Sequence, residues 1–125
     1  LINSAKQVFK TRQYTDFFIG GNMFIHYPDA DTNKPTFRGP DFFAVLNIDG
    51  RYSREDWRVA DEHGRYPDII IELMSKTTAK TDKGPKKDLY EQTFKTKEYF
   101  VFDVYEPASL KGWRLKNNRY EPIKP

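Results

Sequence analysis

The chain has 125 residues, of which 31% are charged and 16% aromatic, and its formal net charge is +3. That length suits one folded core rather than two, and these charged and aromatic fractions fit a globular domain rather than a disordered chain. With no cysteine, disulfides and thiolate metal centres are excluded, and no apolar run approaches the roughly 20 residues that cross a bilayer as a helix.

These features predict a single domain over 1–125, cytoplasmic, without a membrane segment or signal peptide. The mild basicity suits nucleic acid as a partner without requiring it. Residues 1–12 place Ile2, Val8 and Phe9 among polar residues and predict the tail of a helix, and no acid precedes Asp16. In DFFIGGNMFIHYP the Gly20-Gly21 pair separates two apolar patches, which predicts a strand over 22–27 paired with the patch before it. The stretch 28–38, PDADTNKPTFR, is dense in turn formers and reads as a loop. GPDFFAVLNID then predicts a strand over about 40–48, apolar on both faces like a central strand, with Asp41 as the exception at its start.

Asp49-Gly50 marks a turn, 57–60 a short strand, His63-Gly64 a second turn and 68–74 a further strand; together they read as an antiparallel meander. From 82 to about 94 the apolar period becomes 3.6, with Asp82 as N-cap and Pro85 in the first turn, so a helix is expected. A strand over 97–105 and a hairpin over 111–123, turning at Asn117-Asn118, complete the chain. No internal repeat interrupts this order. The expected fold is α/β, a curved mixed β-sheet with one or two packed helices.

Two acids stand out because their neighbours are apolar. Asp41 and Glu72 each sit in a strand, and a carboxylate in a buried strand is costly unless it meets a cation, a metal or hydrogen-bond donors. If the strands are adjacent, about 4.8 Å apart, both carboxylates can converge on one cation. Asp68 is a competitor, but it lies four residues from Glu72 on the same strand face, a rise of roughly 13 Å, so the two cannot readily share a metal. On the helix, Leu89, Tyr90, Thr93 and Phe94 fall on the side of Lys86, whereas Lys87, Asp88 and Glu91 point away. Two carboxylates and an inward ammonium suit phosphodiester hydrolysis. The acids hold Mg²⁺ or Mn²⁺, and the lysine orients the attacking water.

The succession GPDFFAVLNID, YPDIIIELMSKTT, DKGPKKDLYEQTF and KEYFVFD resembles the Uma-type family of restriction-endonuclease-like proteins, common in cyanobacteria, within the PD-(D/E)XK nuclease superfamily. The likeness runs from about Gly20 to the C-terminus. It implies a restriction-endonuclease-like fold and a Mg²⁺-dependent DNA endonuclease, with Asp41 and Glu72 as the metal acids and the backbone carbonyl of Leu73 as a further ligand. It also implies that part of the N-terminal helix lies upstream of Leu1, and that two copies pair when both strands of a duplex are cut. In the superfamily a lysine stands two residues after the acid. Here that position is Met74, and Lys86 matches the family's helix lysine.

Between Lys76 and Lys87 there are five lysines against one acid; in the nuclease reading Lys76, Lys80, Lys83 and Lys87 contact the phosphate backbone. Ser75 either binds a phosphate or steadies the loop, and the Tyr90 hydroxyl, one turn beyond Lys86, either binds the lysine or substrate or only packs. Each feature also has a plainer reading. Buried acids form structural pairs with Arg38, Arg58 or a backbone amide, inward lysines snorkel, and lysine runs are commonly solvated surface. His26 and His63 lack metal-ligand spacing and read as structural. The alternative function is a nuclease-fold domain that binds nucleic acid or protein without cutting, favoured by Met74 and by the absence of an acid from 1–15.

Overall fold

The computed structural model describes residues 16–51, 53–74, 84–103 and 105–124, which divide into two compact units, 1–67 and 68–125. The helix expected over 1–12 lies outside the described residues, and the helix expected from 82 instead opens on Pro85 with Gly84, not Asp82, at its N-cap.

In the first unit β1 (Phe17–Gly21) pairs antiparallel with β4 (Phe42–Leu46), and Gly20 faces Phe43, where a side chain on the glycine would collide with the ring. A separate sheet is built from β2 (Ile25–Pro28), β3 (Pro35–Arg38) and β5 (Trp57–Arg58). Three expectations change here. The 28–38 loop contains β3; Pro35 is tolerated because it opens an edge strand, where a missing N–H leaves no ladder bond unmade. β2 pairs with β3 and β5 instead of the strand before it, and β5 runs parallel to β2, so the antiparallel meander is not formed. The predicted 57–60 strand is half as long as expected: it ends at Arg58, after which the chain enters a 3₁₀ turn, η1 (Val59–Asp61).

The apolar periodicity explains the first unit's core. Ile25, Tyr27 and Trp57 share the inner face of the three-stranded sheet and are buried, together with Phe18, Phe43 and Val45. Trp57 stacks on Phe18 at 5.5 Å between ring centres, and its indole N–H donates to the Arg65 carbonyl at 2.8 Å. An aromatic this large is stabilised in a core only when its polar atom finds a partner.

In the second unit β6 (Ile69–Leu73) pairs with β7 (Glu98–Asp103) in parallel, then β7, β8 (Glu106–Lys116) and β9 (Arg119–Pro122) follow antiparallel. The parallel pair has a chain-level cause. Parallel neighbours need a crossover of a dozen or more residues, and α1 (Pro85–Gln92) lies in that connection. The helix begins on Pro85, where a missing N–H costs nothing, and the left-handed Lys95 (φ 51) turns the chain away after its last turn. The final hairpin turns at Asn117 and Asn118, with φ of 54° and 65°, the two positive values a tight two-residue turn requires.

The fold is thus α/β with mixed strand pairing, of the restriction-endonuclease-like class expected. Among the described residues α1 is the single α-helix. No described helix is long and apolar enough to cross a membrane.

Candidate active site

Strand alternation puts Glu72 on a buried face. Ile70, Glu72 and Met74 share one side of β6 at 0%, 3% and 9% exposure, while Ile69, Ile71 and Leu73 are half-buried on the other. An ionised carboxylate among such neighbours must be compensated, and α1 supplies the partners. The Tyr90 hydroxyl donates to Glu72 Oε1 at 2.9 Å, and the Lys86 Nζ stands 3.5 Å from Oε2. Lys86 and Tyr90 are four residues apart, so one helix face delivers both groups to one acid.

Packing fixes this face. Tyr90 is fully buried, with its ring edge-on to Tyr99 of β7 at 5.1 Å and tilted against Phe94 at 5.2 Å. Lys86 keeps a quarter of its side chain exposed, so its ammonium reaches the acid without being sealed from solvent. Placing Lys86, Tyr90 and Phe94 on one side therefore agrees with the helical period. The opposite flank is engaged as well: the Lys87 ammonium lies 5.0 Å above the Trp113 ring, and Glu91 accepts the Tyr120 N–H at 2.6 Å.

The structure gathers Glu72, Lys86 and Tyr90 within the second unit. The Tyr90 hydroxyl meets the acid, a pairing the sequence reading did not weigh. Leu73, the candidate carbonyl ligand, ends β6 opposite Phe102, and the following Met74 N–H donates to the Phe102 carbonyl at 2.7 Å. Asp68, the competing acid, is buried at the other end of β6 with the Lys97 ammonium 3.5 Å away. Asp41 belongs to the first unit, one residue before β4, where its carbonyl accepts the Asn22 N–H at 2.9 Å. Ser75, Lys76, Lys80 and Lys83 lie outside the described residues.

Other acids form ion pairs as well. Arg58 pairs with Asp56, which also bonds His26 Nε2 at 2.9 Å. Arg38 instead reaches the carbonyl of Phe37. A buried pair absent from the sequence reading joins Arg54 to Glu62, with the guanidinium over the rings of Phe18 and Trp57. Its only local signal is an arginine and a glutamate flanking a tryptophan.

Among the described residues no group of three or more His, Cys, Asp or Glu side chains gathers as a ready-made metal cage. A hard cation such as Mg²⁺ does not need one, because it is bound through one or two carboxylates and keeps several waters or substrate oxygens. Glu72, an all-oxygen donor with an ammonium beside it, fits that chemistry.

No curated protein matches the chain. A family model does match, over the full span of residues 1–125: Uma2, with the description "Putative restriction endonuclease", which points to a nuclease. The chain, with its acid on β6 and its lysine and tyrosine on α1, belongs to the Uma2 family.

Proposed function

We propose that the protein is a Mg²⁺-dependent DNA endonuclease that hydrolyses phosphodiester bonds with an activated water. The observation that carries this reading is the buried Glu72 carboxylate, addressed at one oxygen by the Tyr90 hydroxyl and at the other by the Lys86 ammonium. Membership of the Uma2 family supports the same reaction class.

In this reading Glu72, Asp41 and the Leu73 carbonyl would hold Mg²⁺ or Mn²⁺, with Asp41 entering from the sequence pattern and the Leu73 carbonyl from the family resemblance. The cation, when bound, neutralises charge on the phosphate and acidifies a water. Tyr90 holds Oε1 and so keeps the Glu72 carboxylate from rotating. The Lys86 ammonium donates to the incoming water or to a phosphate oxygen, a task its compact charge and three donors suit. Lys86 thereby takes the place of the lysine that Met74 cannot supply; Met74, buried beside Glu72, has no donor for this work. That methionine is also what favours the second reading, a nuclease fold that binds without cutting.

Cleavage of plasmid and of single-stranded DNA in Mn²⁺ tests the proposal. Wild type should cut, while Glu72→Gln and Asp41→Ala should fall to background with their fold intact by circular dichroism. Wild-type cleavage by either variant would refute the assignment.

A further inference from the structure

The sheet of β3, β2 and β5 ends in β3, whose outer edge pairs with no other strand among the described residues. Which main-chain groups lie on that edge follows from the ladder. The Asp29 N–H donates to the Lys34 carbonyl at 2.8 Å, toward β3, and the Phe24 carbonyl accepts the Trp57 N–H at 2.8 Å, toward β5. Main-chain groups point to alternate sides along a strand, so Ile25 and Tyr27 bond β3 whereas His26 turns to β5. Their register partners behave accordingly: Arg38 and Thr36 bond β2, and Phe37, opposite His26, directs its N–H and carbonyl outward. That carbonyl has only a long contact, 3.5 Å, from the Arg38 guanidinium.

The same residue carries an exposed apolar cluster. Phe37 and Phe24 are 52% and 54% exposed, their rings edge-on at 5.0 Å, with His26 5.9 Å from Phe37. Asp56 bonds His26 and Arg58 at 2.9 and 3.3 Å, so the polar groups bordering the cluster already answer one another. An open strand edge and rings left in water are each a cost that a partner removes.

The sequence of the edge selects that partner. Two β3 strands laid antiparallel about Phe37 are related by a twofold axis, on which the two Phe37 residues exchange N–H and carbonyl bonds. Directly opposed residues share a face, so the Phe37 rings meet and join the flanking Phe24 rings in one cluster. Pro35 falls opposite Gly39 of the second copy, a ring against a residue with no side chain. Thr36 falls opposite Arg38, so the two arginines do not oppose each other. Bonding, size and charge all fit in this one register. Pro35, with no N–H, confines the pairing to the few residues about the axis.

We propose that a second copy of this chain docks on the β3 edge, giving a symmetric dimer in which the two three-stranded sheets become one continuous sheet centred on Phe37. The proposal does not rest on the nuclease reading, since no residue of the Glu72 site takes part in it.

Sedimentation equilibrium of the full chain, without metal or nucleic acid, tests it. Wild type should dimerise reversibly. Phe37→Asp and Phe37→Lys each place like charges across the axis and should weaken self-association by about tenfold or more, with the fold intact by circular dichroism. An equimolar mixture of the two should recover it, because opposite charges then face each other. The chain has no cysteine, so mild oxidation of Phe37→Cys should give a covalent dimer, and that of Leu110→Cys, exposed on β8, should not. A wild type that stays monomeric would overturn the proposal and leave the edge to a strand of another protein. A dimer that Phe37→Asp leaves intact, or Phe37→Cys that cross-links no better than Leu110→Cys, would overturn it too.

Discussion

Each unit of the molecule buries a glutamate beside a cation, and the two pairs are built differently. In the first unit, Glu62 meets Arg54, whose guanidinium bonds the carboxylate, donates to the Asp49 carbonyl at 2.9 Å and lies over Phe18 and Trp57 at 4.8 and 5.1 Å. The side chains keep only 4% and 10% exposure. In the second unit, Glu72 meets an ammonium at 3.5 Å on a side chain 25% exposed, together with a neutral hydroxyl at 2.9 Å. A planar guanidinium stacked on rings makes a closed structural clamp. In the second pair the lysine, on a flexible stem, keeps its own end toward solvent, while the Glu72 side chain is 3% exposed. Burial of an acid is therefore a poor guide to function until its cation is known.

Three substitutions break or sharpen this contrast. The largest effect belongs to Glu62→Ala, which leaves the Arg54 charge buried and should cost about 3–5 kcal/mol in urea unfolding, with cleavage per folded molecule unchanged. Loss of cleavage in step with Glu72→Gln would mean that the two pairs are not distinct in role.

Tyr90→Phe comes next. It keeps the packing on Tyr99 and Phe94 but removes the donor to Glu72, so Mn²⁺ affinity by calorimetry should fall about tenfold, as for other groups that orient a ligand. Unchanged affinity would reduce Tyr90 to a packing residue.

Tyr120→Phe is the smallest and serves as the control tyrosine. Its hydroxyl donates to the Thr96 carbonyl at 2.8 Å, so losing it should cost about 1 kcal/mol and leave Mn²⁺ binding untouched. Burial, reinforced by the nearby Glu91 carboxylate, holds this phenol above its ordinary value of 10.0. A raised folded value means the stabilisation is complete below the unfolded value and is lost as pH rises beyond it. Wild type should therefore lose stability above about pH 10, and Tyr120→Phe should lose less over the same range, as urea midpoints across alkaline pH would show.

How far the chain could be read in advance varied with the range of the interaction. The α1 face was legible because Lys86, Tyr90 and Phe94 repeat at the helical period, and the Asn117-Asn118 turn because a tight hairpin demands left-handed residues there. β3 was hidden by its setting. Thr36, Phe37 and Arg38 form a strand too short to show alternation, and the prolines and aspartates before them suggest a loop. The partners of β2 were hidden too: the hydrophobic pattern marks Ile25 and Tyr27 as inward but does not name the strand beside them. The Arg54–Glu62 clamp escaped notice because it depends on Phe18, far away in sequence, for its floor.

By itself the sequence determined the type of most elements, the buried acid on β6 and the lysine on the inward side of α1, since these follow from spacings of two and 3.6 residues that any local stretch displays. Only the tertiary structure decided that β6 and β7 run parallel, that the Tyr90 hydroxyl takes one oxygen of Glu72, and that Phe24, Phe37 and His26 meet on an outward face. The reason is physical. Such pairings are selected by packing between segments distant along the chain, and a residue's neighbours in sequence carry no record of them.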